Sequence, residues 1–147
     1  MNTMQGLIKV PLTSMSNDQG FDAMLCAYQT CGGAARADKL ALLMEDTNKG
    51  NFVDLTKQIV SREIFSFQWQ SHAWIPMFQF EPGDMSIRQD VRKIMTELAD
   101  VLDSWTLAAW FVQPNDWLQG ARPVDLMETN MPYVFAAARA DRYIAAG

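Results

Sequence analysis

The chain has very little histidine and cysteine, the residues that most often bind metals or form disulfides. It contains one His and two Cys in 147 residues. Cys26 and Cys31 lie five residues apart within one predicted helix, on different faces, so we expect no disulfide between them. These three side chains are too few for a Cys/His zinc site. We therefore predict neither a metal nor a cofactor, and the cysteine usage fits a reducing cytoplasm.

Long apolar runs are also missing. No stretch approaches the roughly 18–20 apolar residues that a membrane-spanning helix needs. Residues 1–13 contain one Lys and no sustained apolar block, unlike a signal peptide. We therefore predict a cytoplasmic protein with no membrane partner. At 49% apolar and 20% charged residues, the composition is that of an ordinary globular protein, either one domain or two small lobes that share a core.

The sequence lacks the common motifs of catalytic sites. It has no Gly-rich phosphate loop, because Gly32-Gly33 has no lysine at the P-loop spacing. His72 has no evident Ser or Cys nucleophile. Carboxylate pairs such as Asp100 with Asp103 stand at helical spacing, which is typical of solvated or capping side chains. We therefore predict that the protein is not an enzyme.

An excess of positive charge is the last feature that the chain lacks. The formal net charge is −5. Residues 1–62 hold six basic and six acidic side chains, whereas residues 63–147 hold six basic and eleven acidic ones. If the protein contacts DNA, we expect the N-terminal half to do so. If it contacts a basic protein surface, the acidic C-terminal half is favoured.

The most distinctive segment that is present is the aromatic-rich stretch from Arg62 to Phe80. Phe65, Phe67 and Trp69 alternate with polar residues, which is the period of a half-buried strand. A polar break at residues 70–71 precedes a second aromatic-rich run, at residues 74–80. The pattern predicts a β-hairpin whose aromatic side chains belong mostly to the core. Because Pro76 has no N–H group, we expect the second strand to be an edge at that position.

Three helices are predicted before this hairpin, after a mobile lead-in at residues 1–19. The first begins at Asn17 or Asp18 and ends before Gly32-Gly33, and the second covers residues 34–45. The third starts at Asn51, with Asp54 in the position of its capping partner. Its predicted inner face consists of Phe52, Leu55, Ile59 and Val60, and its predicted outer face of Asp54, Lys57, Gln58, Ser61 and Arg62.

The order of helix, short polar turn, helix and hairpin is that of a winged helix-turn-helix. In that interpretation the third helix is the recognition helix, and Lys57, Gln58 and Arg62 reach base edges or phosphates. Gln70, Ser71 and His72 form the tip of the wing. The simpler alternative is a solvated helix face beside a surface turn.

The C-terminal half is predicted to be helical throughout. Ser86 and Gln89 have the spacing of a capping box, and an amphipathic stripe continues from there to about residue 102. The segment 105–113 is apolar on nearly every side, so we expect a buried helix that ends at Pro114. A short helix opens at Pro123, and an Ala-rich helix covers about residues 132–145. The predicted fold is mainly α with one β-hairpin: a small helical lobe at 20–80 resembling a degenerate winged helix-turn-helix, and a helical lobe at 81–147.

One motif of the C-terminal half resembles a known family. Its residues are Trp110, Pro114, Asn115, Leu118, Gly120, Arg122, Pro123, Asp125 and Leu126. Upstream, Pro76, Gln79 and Phe80 form a similar Pro-x-x-Gln-Phe segment. Over residues 62–147 the chain resembles the C-terminal toxin-binding domain of Xre/MbcA/ParS-type antitoxins. Members of that family open with a longer helix-turn-helix than residues 1–61 provide.

The resemblance implies an antitoxin of a bacterial type II toxin–antitoxin system. In that family the partner is a RES-domain toxin that consumes NAD, and the C-terminal region of the antitoxin covers its active site. The family also forms homodimers and represses its own operon, which makes operator DNA a second expected ligand. Carried over to this chain, the toxin-facing residues are Arg122, Pro123, Asp125, Leu126, Arg139, Arg142 and Tyr143.

Two alternatives remain open from the sequence. Pro123 and Leu126 could have the purely structural role of capping and anchoring a short helix. The whole protein could also be a stand-alone DNA-binding transcriptional regulator with no toxin partner.

Overall fold

A computed structural model describes residues 18–147. Its α-helices are α1 (Asp18–Tyr28), α2 (Ala37–Asp46), α3 (Phe52–Val60), α4 (Gln89–Leu98), α5 (Ser104–Val112), α6 (Pro123–Leu126) and α7 (Met131–Ala146). The strands are β1 (Ala34–Arg36), β2 (Phe67–Trp69) and β3 (His72–Pro76), and short 3-10 helices cover Gln29–Cys31, Met77–Gln79 and Asp116–Leu118. This part of the chain is mainly helical with a small antiparallel sheet, which confirms the predicted fold class.

The predicted lead-in lies largely outside the described residues, because these begin at Asp18. Asp18 and Gln19 belong to α1, which agrees with the predicted helix start at Asn17 or Asp18 and shows that the lead-in does not extend to residue 19. Between residues 18 and 147, no helix combines the length and the apolar character needed to cross a membrane.

The sheet has three strands rather than the two of the predicted hairpin. Residues 34–36 were expected to open the second helix but form β1, which pairs with β3. The helix α2 therefore begins only at Ala37. Local helix propensity at Ala34-Ala35 is overridden by pairing to a strand that is distant in the chain, which no local pattern shows.

The edge expected at Pro76 is confined to the end of the second hairpin strand: β2 pairs only with residues 72–74, so Pro76 pairs with β1 alone. The strand order is β1-β3-β2, so β3 is the central strand. Pro76 is tolerated because it is the last residue of β3, opposite Ala34, and the chain then turns into a 3-10 helix. The second strand is consequently shorter than predicted, and residues 77–80 are not part of it.

A two-residue turn joins β2 to β3. Gln70 and Ser71 both have positive φ angles, of 49° and 67°. Positive φ at both central positions characterises the type I′ turn, which matches the twist of a hairpin but favours Asn and Gly. Gln and Ser therefore hold this turn at a cost in backbone strain.

The predicted helix starts have different outcomes. The capping box of α3 is confirmed: Asn51 Oδ1 accepts the Asp54 N–H at 2.9 Å, and Asp54 Oδ2 accepts the Asn51 N–H at 3.2 Å. The capping box predicted from Ser86 and Gln89 is wrong, because α4 begins at Gln89 itself. Ser86 instead donates to Asp84 Oδ1 through its N–H, at 2.9 Å, and its hydroxyl, at 2.7 Å.

The first half follows the order of a winged helix-turn-helix more closely than the sequence indicated. The elements run α1, β1, α2, α3, β2, β3, and the unexpected strand β1 completes the small sheet of that arrangement. Phe21 of α1 stacks on Trp69 with ring centroids 5.1 Å apart, which packs the helix on the sheet.

Helix α5 is buried, as its composition predicted, and joins the two halves of the chain. Phe111 stacks on Phe65 with ring centroids 4.9 Å apart. The buried hydroxyl of Tyr28 in α1 donates to the carbonyl oxygen of Ala108 at 2.5 Å. The buried apolar residues of both predicted lobes therefore form one hydrophobic core.

The faces of α3 differ from the prediction. Leu55 is fully buried, as expected. Phe52 and Val60, predicted to face inward, are 53% and 75% exposed, and Val53 is 58% exposed. The outward face of α3 therefore carries large apolar side chains beside Asp54 and Lys57, which are exposed as predicted.

Candidate protein-binding site at the end of the C-terminal helix

The turn between α5 and α6 is organised by the buried side chain of Asn115. The chain leaves α5 at Gln113, whose backbone is extended because a proline follows. Asn115 Oδ1 accepts the Trp117 N–H at 2.9 Å, and the Asn115 carbonyl accepts the Gly120 N–H at 2.9 Å. Gly120 has a φ of 88°, which favours glycine at this position. The turn thus presents Trp117 in one orientation, through bonds made by the motif residues themselves.

A single carboxylate ties the turn to the last helix. Asp141 of α7 accepts hydrogen bonds from the indole N–H groups of Trp110, at 2.7 Å, and Trp117, at 2.8 Å. The Asn115 side-chain amide lies 3.4 Å from the same carboxylate. Three separate elements, α5, the turn and α7, are therefore joined at one side chain.

Sequence reasoning missed Asp141, although one signal was available. Asp141 follows the buried Ala137 and Ala138 at helical spacings of four and three residues. A carboxylate at that position of an apolar helix face indicates a partner inside the fold. The identity of that partner could not be read from the sequence, because both tryptophans belong to segments that are distant in the chain.

The Asp141 cluster forms the floor of a shallow groove of about 340 Å³. Trp117, 56% exposed, and Ile144, 64% exposed, supply apolar surface to it, while Asp116 and Asp141 supply negative charge. Tyr143 precedes Ile144 in α7 and is 82% exposed. The end of α7 and the Trp117 turn thus present large apolar side chains on a hydrogen-bonded base.

Arg122 and Asp125, both predicted to face a toxin, bind each other and the body of the protein. Arg122 Nε donates to Asp125 Oδ2 at 2.8 Å, and its other nitrogens donate to the carbonyl of Ala27 and to Thr30 Oγ1, each at 2.9 Å. The Arg122 hydrogen bonds lower the pKa of the Asp125 carboxyl group, and the same pair raises the pKa of Arg122. These bonds hold α6 against the end of α1.

Pro123 and Leu126 also contribute mainly to packing. Pro123 is buried at the first turn of α6, and Leu126 is half-buried against the core. The structural alternative that the sequence left open for these two residues therefore agrees with their surroundings.

The three predicted residues of the last helix have different environments. Arg142 donates to the Glu97 carbonyl at 2.7 Å and to Asp100 Oδ1 at 2.6 Å, so it ties α7 to the end of α4. Its hydrogen bonds lower the pKa of Asp100. Arg139 and Tyr143 are exposed and lie one turn apart on the same helix face.

Gln79, from the Pro-x-x-Gln-Phe segment, is fully buried. Its side chain makes the backbone hydrogen bonds that a neighbouring strand would otherwise make. Its Oε1 accepts the Phe65 N–H at 2.9 Å, and its Nε2 donates to the carbonyls of Phe65 and Pro76, each at 3.0 Å. The side chain thus pairs the backbone just before β2 with the end of β3. The role of this residue is structural.

The residues predicted to contact DNA lie on α3 and on the hairpin. Lys57 is exposed on α3, whereas Gln58 is half-buried. Arg62 has a positive φ of 62° after the end of α3 and donates to the carbonyl of Leu102 at 3.2 Å. Gln70 and His72 are exposed at the hairpin turn and the start of β3.

Among residues 18–147, no group of three or more His, Cys, Asp or Glu side chains is placed to hold a metal ion. No protein-family model, no curated protein and no solved structure matches this chain.

Proposed function

We propose that this protein is an antitoxin-like binding protein that neutralises a RES-type toxin by covering it with the end of α7 and the Trp117 turn. The observation that carries the proposal is that Trp117 and Ile144, both exposed, line one groove, with the exposed Tyr143 next to Ile144 in α7. Exposed aromatic and large aliphatic side chains that cluster on a rigid base are typical of protein-binding surfaces.

The base of this surface supports binding without rearrangement. Trp117 is held by its indole bond to Asp141 and by its backbone bond to Asn115. A preorganised contact residue loses little conformational entropy when a partner binds. Arg122 and Asp125 are then positioning residues, whereas Arg139 and Tyr143 are free to contact the partner.

The charge of the groove agrees with the proposed partner. A toxin that consumes NAD must bind an anionic dinucleotide, so its active site should be lined with positive charge. The groove carries Asp116 and Asp141 beside Trp117 and Ile144. Carboxylates of this kind favour association with a basic cleft.

The test is capture of the partner, followed by an assay of its activity. The chain is used as bait in extract of its native cell after DNA digestion, and bound proteins are identified by mass spectrometry. The captured protein should consume NAD, and added bait should inhibit it. Replacing both Tyr143 and Ile144 by Ala should weaken capture and inhibition by at least about tenfold, because hot-spot side chains each contribute on the order of 2 kcal/mol.

The matched control is Tyr133→Ala, because Tyr133 is also on α7 and is 69% exposed. That variant should bind and inhibit like the unmodified chain. The proposal fails if no NAD-consuming protein is captured, or if the Tyr143/Ile144 variant inhibits as well as the Tyr133 variant.

A stand-alone DNA-binding regulator is the second candidate, and the winged order of α1 to β3 favours it. The same capture experiment distinguishes the two. Recovery of a defined DNA fragment in the undigested sample, with no protein partner, would support the regulator. Loss of that fragment on substitution of Lys57 and Arg62 would assign the contact to α3 and its end.

A further inference from the structure

The carboxylate of Asp141 has hydrogen-bond donors but no counter-ion. Its partners are the indole N–H groups of Trp110 and Trp117 and, at 3.4 Å, the side-chain amide of Asn115, all of which are neutral. Among residues 18–147, no Lys or Arg nitrogen lies within 4.0 Å of this carboxylate. The side chain is half-buried, so its negative charge is partly shielded from water and is not compensated by the protein.

The same carboxylate can accept a further hydrogen bond. A carboxylate offers about four lone-pair sites, two on each oxygen. The Oδ1 atom of Asp141 accepts from Trp117, whereas the Oδ2 atom accepts from Trp110 and faces the Asn115 amide. Oδ1 therefore retains capacity for a donor that a ligand brings into the groove.

The walls of the groove suit a planar cation. The rings of Trp117, which is 56% exposed, and of Trp110 line it together with Ile144. A guanidinium group can stack on an aromatic face while its edge donates to a carboxylate, whereas an ammonium group is a strongly hydrated point charge. Asp116 lines the same groove, is exposed and forms no ion pair with any residue that the structure describes. These features favour an arginine side chain over a lysine side chain.

Gln113, which also lines the groove, lacks a hydrogen-bond acceptor. Less than 1 Å² of its side-chain Nε2 atom is exposed, and this atom has no partner in the described part of the chain. A buried amide N–H group without an acceptor is unfavourable. The carbonyl oxygen of a bound polypeptide would supply that acceptor. An arginine residue within a protein brings such a carbonyl together with its guanidinium group, which a free metal cation does not.

We propose that this groove receives an arginine side chain of the partner protein. The guanidinium group donates to Oδ1 of Asp141, faces the carboxylate of Asp116 and stacks on the indole ring of Trp117. This inference rests on the proposed function, because it specifies what the partner inserts into the surface described there.

The test uses N-acetyl-arginine amide, a probe that presents the side chain between two peptide groups. It is titrated into the isotope-labelled full chain, and the indole N–H resonances of Trp110 and Trp117 report on both bonds to Asp141. We expect saturable shifts with a dissociation constant on the order of 1 mM, which is typical of a ligand of this size. The citrulline analogue has the same shape without the charge and should cause no saturable shift. The lysine analogue should bind at least about threefold more weakly.

Substitutions of the two carboxylates locate the binding. Asp141→Asn removes the charge and should weaken probe binding at least about tenfold, because hydrogen bonds to charged groups are the strong ones. Asp116→Asn should weaken it about threefold, as expected for an exposed ion pair. Dispersed indole resonances verify that the Asp141 variant is folded, and the exposed position of Asp116 makes its variant the safer one. Glu128→Gln is the control, since it removes an exposed negative charge that does not line this groove, and it should leave binding unchanged.

Equal shifts with the arginine and citrulline probes would overturn the proposal, as would binding that neither Asp variant weakens. A lysine probe that binds as tightly would overturn the assignment to a guanidinium group. Tighter binding of free arginine than of the blocked probe would assign the groove to a free amino acid rather than to a protein side chain.

The proposed function and this inference can fail separately. Binding of the arginine probe without capture of an NAD-consuming protein would refute the toxin partner but not the arginine site. Capture of the toxin by a chain that does not bind the probe would refute the arginine site alone.

Discussion

At the scale of single residues, two buried or half-buried polar side chains join segments that are distant in the chain. Asp141 gathers the indole donors of Trp110 and Trp117, and Gln79 satisfies backbone groups of Phe65 and Pro76. A buried polar group is costly unless it is bonded, so each of these side chains specifies one arrangement of its neighbours. The aromatic residues around them contribute buried apolar area, but they do much less to select one arrangement of their neighbours.

Gln79→Leu tests this role directly. Leucine has a similar volume but cannot bond, so the Phe65 N–H and two carbonyl groups would lose their partner inside the core. We expect the free energy of unfolding to fall by about 3 kcal/mol, because each unsatisfied buried group costs about 1–3 kcal/mol. Urea titration followed by circular dichroism measures the change.

Gln68→Leu serves as the comparison, since Gln68 is exposed on β2. Its unfolding free energy should change by no more than about 0.5 kcal/mol. Equal stability of the two variants would show that the Gln79 bonds contribute nothing net to folding.

At the scale of elements, the hairpin carries backbone strain that its sequence does not relieve. Gln70 and Ser71 adopt positive φ angles that Asn and Gly reach at lower cost. The hairpin forms nevertheless, because β3 is paired on both sides and its neighbouring aromatic residues are buried. Tertiary packing therefore compensates for an unfavourable turn.

The double substitution Gln70→Asn/Ser71→Gly in this turn should stabilise the protein. We expect an increase of about 1 kcal/mol in the free energy of unfolding, because the type I′ turn is then made by residues that favour it. Thermal unfolding followed by circular dichroism reports the gain. Ser61→Gly is the control: Ser61 has an ordinary φ of −78°, so glycine there should destabilise slightly. A loss of stability in the turn variant would contradict the assignment of strain.

At the scale of the whole molecule, the first half, which holds the small sheet, and the helical second half share one core. The contacts of Phe65 with Phe111 and of Tyr28 with Ala108 cross between them. Arg122 adds a polar connection by bonding to Ala27 and Thr30. A unit with so many apolar contacts across its middle should unfold cooperatively.

We therefore expect a single unfolding transition for both halves. Trp69 and Trp74 report on the hairpin, and Trp110 and Trp117 on the C-terminal half. Labelling with 5-fluorotryptophan and following the fluorine resonances in urea should give one midpoint for all of them. Separate midpoints for the two pairs would show that residues 20–80 and 81–147 are independent folding units.

Much of the fold could be predicted because it depends on local chemistry. Asn51 and Asp54 form their capping box within a single turn, and Pro114 ends α5 because it cannot continue a helix. The apolar composition of α5 required burial wherever the helix lay. The positions of Gly120 and Pro123 likewise predicted a turn followed by a helix start.

The candidate site was only partly predictable, because its geometry depends on residues far apart in the chain. Exposure of Tyr143 agrees with a contact role, but Arg122 and Asp125 are occupied by each other and by α1. Asp141 was missed, since its two indole partners come from α5 and the turn. The sequence shows the sign of a charged side chain, but it does not show which residue that side chain will bind.

The amino-acid sequence alone dictated where most helices begin and end, and that a hairpin lies between Arg62 and Phe80. These features follow from side chains that act on their own backbone within a few residues. Long-range packing, in contrast, made Ala34–Arg36 a strand, placed β3 at the centre of the sheet, and left Phe52 and Val60 of α3 exposed. Each of those outcomes depends on which distant segment packs against a given surface. An apolar residue indicates that some surface should be buried, but it does not identify the segment that buries it.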